Sequence, residues 1–210
     1  MISSIKYILR RIQLILYRIK NFFLKPQYPQ NKDGKILIHL GCGDINCPAF
    51  INVDSRFFPH IHHIHNIEYL PMFNDEFADL MYASHTLEHV SMLKVSQVLT
   101  EWKRILKKSG ILRISVPDFN KIIDIYKKND EEIESIWMPL LGSQEYKENS
   151  HYSLFNEKFL TKLFLEAGFS EVRKWDPAKS EFHNFDDWAS RNILIGEIQY
   201  PISLNLEAIK

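Results

Sequence analysis

The sequence has few cysteines and no net charge. Its 210 residues include only two cysteines, Cys42 and Cys47, which cannot form a disulfide framework and indicate reduced thiols in a cytoplasmic protein. The 26 basic residues balance 26 acidic ones. Proteins that wrap nucleic-acid phosphates usually carry a basic excess, so we expect no nucleic-acid partner. The hydrophobic fraction of 45% and the length of the chain predict one folded domain.

Residues 1–25 lack an apolar run long enough to cross a bilayer. The longest uncharged run, Ile12 to Tyr17, is far shorter than the roughly 20 residues that a transmembrane helix needs, and no cleavage site typical of a secretion signal follows. Basic and apolar residues alternate here at helical spacing, and residues 1–30 contain no acid. We predict a cationic amphipathic helix over 1–25.

Two positions for this helix are open. It can lie on an anionic membrane surface or dock against the domain or a second subunit, and its purely basic polar face favours the membrane. Pro26 and Pro29 end the helix, and we expect a linker over residues 26–34. These features predict a cytoplasmic protein that is peripheral on the inner face of a membrane.

From residue 35 onward, short apolar runs alternate with segments of helical periodicity. Strands are predicted at 35–40, 50–53, 61–65, 78–84, 111–116, 171–175, 192–195 and 202–210. Helices are predicted at 93–108, 119–128 and 157–167. This alternation predicts one α/β domain over 35–210, a Rossmann-like sandwich around a mostly parallel sheet with an antiparallel edge.

A glycine turn follows the first predicted strand, and an acid ends the second. Gly41 and Gly43 let a ligand approach the backbone closely, and Asp54 can accept both hydroxyl groups of a ribose. A tight turn beside a solvated Asp54 is the alternative. A dinucleotide motif would place a third glycine at position 46, which is Asn46, and an acid about 20 residues beyond the motif. S-adenosylmethionine therefore fits this pattern better than a nicotinamide dinucleotide.

Several further motifs lie in a characteristic order along residues 35–210. They are Leu40–Gly43, Ile51–Asp54, Leu70-Pro71, Phe77–His89, Gly110–Leu112, Val116–Asp118, Glu166–Phe169 and Ser203–Lys210. In this order the chain resembles the class I S-adenosylmethionine-dependent methyltransferases, specifically a group of small predicted bacterial, methyltransferase-11-like members. The resemblance implies a seven-stranded sheet whose last strand, within residues 202–210, is antiparallel.

The resemblance also implies where the cofactor binds. Its methionine part is expected over Gly41, Cys42 and Gly43, its ribose on Asp54, its adenine near Asn66 and Ile67, and its sulfonium near Ser84 and His85. One departure concerns the first crossover. Only residues 41–50 separate the first two strands, whereas a parallel crossover normally needs a dozen or more residues, so we expect the usual helix to be reduced to a turn.

Three residues are candidates for catalysis. His85 directly follows the fourth strand, at the end of the sheet where ligands bind, and could act as a base or orient the acceptor. Asp118 ends the fifth strand, although a helix cap is its favoured role. His151 lies in a loop that could cover the acceptor. Glu88 is interpreted as a capping or structural residue.

No metal site is predicted. The histidines between His60 and His65 would alternate between the two faces of a strand, without an acid or cysteine at a matching spacing. Cys42 and Cys47 are interpreted as packing residues beside the cofactor.

These patterns predict a methyltransferase that acts on a small-molecule or glycan acceptor. Similar small bacterial proteins are associated with cell-surface glycan assembly, which makes a glycan or a lipid-linked intermediate one candidate. The alternatives are a non-catalytic methyltransferase-fold scaffold at the membrane and, less favoured, a nicotinamide-dependent oxidoreductase.

Overall fold

The computed structural model describes residues 12–15, 17, 26–31 and 33–210. Most of the amphipathic helix predicted over 1–25 lies outside these residues, but Ile12–Ile15 and Tyr17 are helical. In the described part of the chain, no helix combines the length and apolar character needed to span a membrane.

Between residues 33 and 210, all of which are described, the chain forms nine strands and four α-helices. The strands are β1 (Leu37–Leu40), β2 (Ile51–Asp54), β3 (His63–Ile64), β4 (Ala78–Ser84), β5 (Leu106–Pro117), β6 (Glu171–Lys174), β7 (Asn192–Ile195), β8 (Ile198–Pro201) and β9 (Ser203–Ile209). The helices are α1 (Val95–Ile105), α2 (Phe119–Lys128), α3 (Trp137–Leu141) and α4 (Glu157–Glu166).

Seven of the strands form one sheet in the order β3-β2-β1-β4-β5-β9-β6. The five neighbouring strands β3, β2, β1, β4 and β5 pair in parallel. Strand β9 lies between β5 and β6 and is antiparallel to both. This topology confirms the predicted fold class and the antiparallel last strand. The hairpin of β7 and β8 forms a separate two-stranded sheet.

One face of the sheet, which we call the helical face, is covered by α1 and α4. Aliphatic residues of β1, β2, β4, β5 and β9 pack there against the apolar stripes of the two helices. Trp102 of α1 is fully buried, and its indole N–H donates to the carbonyl of Ile67 at 2.9 Å. This contact joins α1 to the loop after β3.

The opposite face, which we call the irregular face, is covered by segments 41–50 and 175–191. The crossover at 41–50 contains turns but no helix among its residues, all of which are described, as the short spacing predicted. Phe50 from this crossover packs with Tyr82 of β4 and Trp175. Segment 175–191 therefore covers sheet surface that a crossover helix would otherwise occupy.

The boundary between α1 and β5 differs from the prediction. The helix ends at Ile105, and β5 begins at Leu106, although periodicity predicted a helix to residue 108 with Ser109-Gly110 as its stop. Pairing with the C-terminus explains this, because Ser109 N–H donates to the Lys210 carbonyl and Lys210 N–H donates to the Gly110 carbonyl. Ser109 also has a positive φ of 60°. Strand β8 and helix α3 were not predicted.

Candidate functional site

A cavity of about 960 Å³ opens at the carboxyl ends of β1, β2, β4 and β5. This end of an open α/β sheet is where ligands usually bind. The cavity has two ends. The glycine turn, Asp54 and the loop after β3 line one, and His85, His151 and Trp188 line the other.

The two glycines after β1 have different roles. Both have positive φ, 62° at Gly41 and 56° at Gly43, a conformation that favours glycine. A Cβ at Gly41 would lie 2.5 Å from the Thr86 side chain, whereas at Gly43 the nearest atom is Nη2 of Arg56 at 3.5 Å. The space beside Gly41 is thus filled by Thr86, and only Gly43 leaves room beside the cavity.

Asp54, the last residue of β2, faces the glycine turn. Its Oδ2 accepts a hydrogen bond from Gly43 N–H at 2.8 Å, and its Oδ1 accepts one from Arg56 N–H at 2.7 Å. The Arg56 guanidinium lies 3.5 Å from Oδ1. An ionised carboxylate has about four lone-pair sites, so acceptor capacity is left for the two hydroxyl groups of a ribose.

All eight residues predicted to bind the cofactor line this one cavity. They are Gly41, Cys42, Gly43, Asp54, Asn66, Ile67, Ser84 and His85. Asn66 and Ile67 belong to the loop after β3, where Asn66 Oδ1 accepts from Glu68 N–H at 2.8 Å. Cys42 is buried and free, and burial raises the pKa of its thiol, which keeps it protonated.

His85 links the two ends of the cavity. It has a positive φ of 48°, and its Nε2 lies 2.8 Å from the hydroxyl of Ser203. Its ring lies 5.8 Å from the ring of Trp188. Burial lowers the pKa of His85 to about 3, so the imidazole is neutral near pH 7 and is better suited to orienting an acceptor than to holding a proton.

Glu88 has an unexpected environment beside His85. The turn at Leu87–His89 buries its carboxylate, and neither oxygen has a hydrogen-bond donor among the described residues. Oε1 lies 3.5 Å from Nδ1 of His85 and 4.0 Å from Nε2 of His151. The expected capping role is not what the contacts show: neither carboxylate oxygen receives a bond from a helix N-terminus.

Asp118 and the histidine run lie apart from this cluster. Asp118 caps α2 by accepting from Asn120 N–H at 3.1 Å and is absent from the described cavity lining, so its catalytic role stays a prediction without geometric support. Within the run, His62 Nδ1 accepts from Asn52 N–H at 3.0 Å, and His63 pairs with the Tyr28 hydroxyl at 2.8 Å. These histidines face separate partners.

The cavity lining also includes aromatic residues that local patterns did not assign to the site. Tyr146, Tyr152 and Trp188 line the cavity and are 37%, 60% and 36% exposed. The Arg56 guanidinium lies 4.4 Å from the centre of the Tyr146 ring, so Tyr146 lies toward Asp54. Tyr146 and Tyr152 lie in the connection between α3 and α4, which has no periodicity.

Comparison with known proteins gives a family and a fold. A family model described as a methyltransferase domain matches residues 8–174. No curated protein matches the chain. Among solved structures, an S-adenosylmethionine-dependent methyltransferase of Archaeoglobus fulgidus is 16% identical, with a TM-score of 0.53 and 94% of each chain covered.

Two further structures show the same fold. A Thermotoga maritima S-adenosylmethionine-dependent methyltransferase, described as a possible histamine N-methyltransferase, is 19% identical with a TM-score of 0.52, over 84% of this chain and 82% of that one. The 1,6-didemethyltoxoflavin N1-methyltransferase of Burkholderia thailandensis, solved with its substrate and S-adenosylhomocysteine, is 13% identical with a TM-score of 0.50, over 87% and 72%.

Proposed function

The chain belongs to the methyltransferase-domain family and is an enzyme that uses S-adenosylmethionine, and on this premise we propose that it methylates a sugar-containing acceptor bound over His85. The observation that carries the proposal is the two-ended cavity, with a nucleoside-type end at Asp54 and an aromatic end at Trp188. We set aside the alternative hypothesis of a non-catalytic scaffold, because the chain is an enzyme.

The cofactor end fits the adenosyl group. Gly43 leaves the backbone open, Asp54 offers acceptor capacity for a ribose, and Asn66 and Ile67 line the position expected for adenine. Bound S-adenosylmethionine supplies a methyl group on a sulfonium. The protein's contribution is then mainly to position the acceptor and to exclude water.

His85 is proposed to orient the acceptor. Its backbone is held by a hydrogen bond from its N–H to the Ser115 carbonyl at 2.8 Å, and its ring by Ser203 and Trp188. A ring held this firmly can fix the angle at which an acceptor atom approaches. His151 lines the same end and is proposed to cover it.

The aromatic end supports a glycan or lipid-linked acceptor. Sugar rings present apolar C–H faces that pack on aromatic rings, and Tyr152 and Trp188 are exposed along the cavity wall. A cavity near the upper end of the usual range of about 300–1,000 Å³ for ligand pockets has room for a cofactor and a small acceptor together.

We propose that residues 1–25 attach the enzyme to the inner face of an anionic membrane, with 26–34 as linker and 35–210 as catalytic domain. One observation supports this arrangement, and one contact is compatible with it. Ile12 and Ile15 are about half exposed, while the Tyr17 hydroxyl donates to the His62 carbonyl at 2.7 Å. The helix could thus rest on the domain and still present apolar residues to lipid.

Calorimetric titration with S-adenosylhomocysteine tests the cofactor site. Asp54→Ala should weaken binding by about 10- to 100-fold, because a hydrogen bond to a charged group contributes about 1.5–3 kcal/mol. Asp124→Ala, at an exposed position of α2, is the matched control and should bind as the wild type does. Wild-type affinity in a folded Asp54→Ala protein would refute the assignment of Asp54.

Vesicle sedimentation tests the membrane proposal. Reversing three charges in the full chain with Arg10→Glu, Arg11→Glu and Arg18→Glu should weaken binding to phosphatidylserine vesicles at least about 100-fold, since each basic residue contributes about 1 kcal/mol near an anionic surface. Equal binding of both proteins would instead favour a docking role for the helix.

A further inference from the structure

We propose that Glu88, His89 and His151 form a binding site for a divalent transition-metal ion at the acceptor end of the cavity. The sequence predicted no metal site, because these residues come from two segments that only the fold brings together. Their ligand atoms, a carboxylate oxygen and two imidazole nitrogens, all lie within 4.8 Å of one another.

The spacing is close to that of ligands on one shared ion. A tetrahedral zinc ion binds histidine nitrogen and carboxylate oxygen at about 2.0–2.2 Å, which places two of its ligand atoms roughly 3.3–3.6 Å apart. Oε1 of Glu88 and Nε2 of His151 are 4.0 Å apart. Small side-chain rotations would bring these two atoms and a nitrogen of the third ligand, His89, into that range.

Both imidazoles are oriented as metal ligands usually are. Nδ1 of His89 lies 3.0 Å from the Ser150 carbonyl, and Nδ1 of His151 lies 3.1 Å from the Pro139 carbonyl. A carbonyl oxygen only accepts hydrogen bonds, so each Nδ1 carries the proton and each Nε2 keeps a free lone pair. This hydrogen bonding fixes the tautomer that binds a metal through Nε2.

Glu88 is the strongest indication of a missing partner. It is 1% exposed, and within the described part of the chain neither carboxylate oxygen has a hydrogen-bond donor. A buried polar group without a partner is costly, and a buried charge more so. A bound cation would satisfy the oxygens and stabilise the ionised form.

The backbone holds the two segments together. The carbonyl of Glu88 accepts hydrogen bonds from Tyr152 N–H at 2.8 Å and Ser153 N–H at 3.1 Å. His151 N–H donates to the Leu141 carbonyl at 3.0 Å. Backbone hydrogen bonds therefore hold both the segment that carries Glu88 and His89 and the segment that carries His151.

Two imidazoles and one carboxylate are ligands typical of Zn²⁺ and Fe²⁺ sites that retain open positions. His89 and His151 line the cavity, so the open positions face the acceptor end. Resting on the proposed function, we infer that the acceptor presents an oxygen to the ion, which would polarise it and fix its position.

Cobalt titration tests the site on the full chain, purified without a histidine tag and treated with a chelator. The wild type should bind one Co²⁺ with the visible absorption of a protein-bound ion, and Zn²⁺ should displace it. His151→Ala and Glu88→Gln should each weaken Co²⁺ binding at least about 100-fold, more than the 10- to 100-fold loss usual for residues behind the ligands.

His65→Ala, outside the cavity lining, is the matched control and should leave Co²⁺ binding unchanged. The proposal fails if the wild type gives no such spectrum, or if His65→Ala reduces binding as strongly as His151→Ala. It also fails if Glu88→Gln binds Co²⁺ as tightly as the wild type, which would mean that Glu88 is a neutral acid hydrogen-bonded to histidine. S-adenosylhomocysteine binding, measured on the same samples, separates this outcome from failure of the cofactor site.

Discussion

The two faces of the sheet are built in different ways. On the helical face, α1 and α4 satisfy their own backbone groups, and the residues between helix and sheet are almost all aliphatic or aromatic. On the irregular face, segment 175–191 has little regular structure, and polar side chains are buried among the aromatic rings. A helix satisfies its backbone N–H and carbonyl groups internally, whereas an irregular segment that covers a sheet needs side-chain hydrogen bonds to satisfy such groups.

Asp187 is the centre of this polar packing. Its carboxylate accepts hydrogen bonds from the Tyr82 hydroxyl and from Ala189 N–H at 2.9 Å, and its Oδ1 lies 3.3 Å from Nε2 of His183. The next residue, Trp188, lines the cavity. The polar network of the irregular face therefore also positions part of the acceptor end, whereas the helical face serves mainly as core.

The largest expected effect is on the helical face. Trp102→Ala should lower the free energy of unfolding by about 3–5 kcal/mol, because it leaves a cavity in the aliphatic core and removes the donor to the Ile67 carbonyl. Urea denaturation measures this loss. Leu93→Ala, 91% exposed just before α1, should change stability by no more than about 0.5 kcal/mol. Similar values for the two variants would contradict this view of the core.

A smaller loss is expected from the irregular face. Asp187→Ala should cost about 1–3 kcal/mol, because the Tyr82 hydroxyl and His183 lose a buried acceptor. Asp186→Ala, at the exposed neighbouring position, is the control. Asp187→Ala should also quench or shift the fluorescence of Trp188 if the network positions that ring. Unchanged fluorescence would confine Asp187 to a stabilising role.

His39, a buried residue of β1 on the irregular face, makes the free energy of unfolding of the protein depend on pH. Burial lowers the pKa of His39 to about 3, against about 6.5 in an unfolded chain. Below pH 6.5 the unfolded chain binds a proton that the native protein does not, so stability is full above that pH and falls by about 1.4 kcal/mol per pH unit toward pH 3.

His39→Leu should remove this contribution. The measured fall in unfolding free energy between pH 6 and pH 4 should become shallower by about 1.4 kcal/mol per pH unit. At pH 7 the variant should be as stable as the wild type or more so, because His39 Nδ1 is buried without a partner among the described residues. An unchanged slope would mean that His39 titrates in the native state.

Much of the helical face and of the glycine-turn side of the cavity could be predicted from the sequence. Strand β4, helix α4 and the glycine turn with Asp54 depend on local periodicity and on short-range turn chemistry, and the structure has them where these signals placed them. The end of α1 could not be predicted, because its last predicted turn pairs with the C-terminal strand instead. Tertiary pairing outweighed helical periodicity there.

The acceptor end was less predictable for a physical reason. Glu88 and His151 belong to segments that are distant in the sequence and are joined by backbone and side-chain hydrogen bonds in the folded chain, and neither segment has a pattern that marks the other as its partner. Segment 175–191 lacks periodicity as well, so its role in replacing a crossover helix could be inferred only from the short connection at 41–50. Irregular segments hold their side chains in place through long-range contacts, and a single sequence does not show which residues make these contacts.

The smallest expected effect concerns the solvent side of the helical face. Lys162 and Glu166 of α4 form an ion pair at 3.6 Å, with both side chains more than half exposed. Water and salt screen such a pair, so Lys162→Ala should change the free energy of unfolding by less than about 0.5 kcal/mol, and the coupling in a double-mutant cycle with Glu166→Ala should vanish in high salt. A coupling above about 1 kcal/mol would show that surface charges stabilise the helical face as well as its apolar core. The two faces would then differ less in how polar groups contribute to stability. The buried pair of Arg113 and Glu207, 2.7 Å apart on the irregular face, should by contrast keep its coupling in salt, because solvent ions do not reach it.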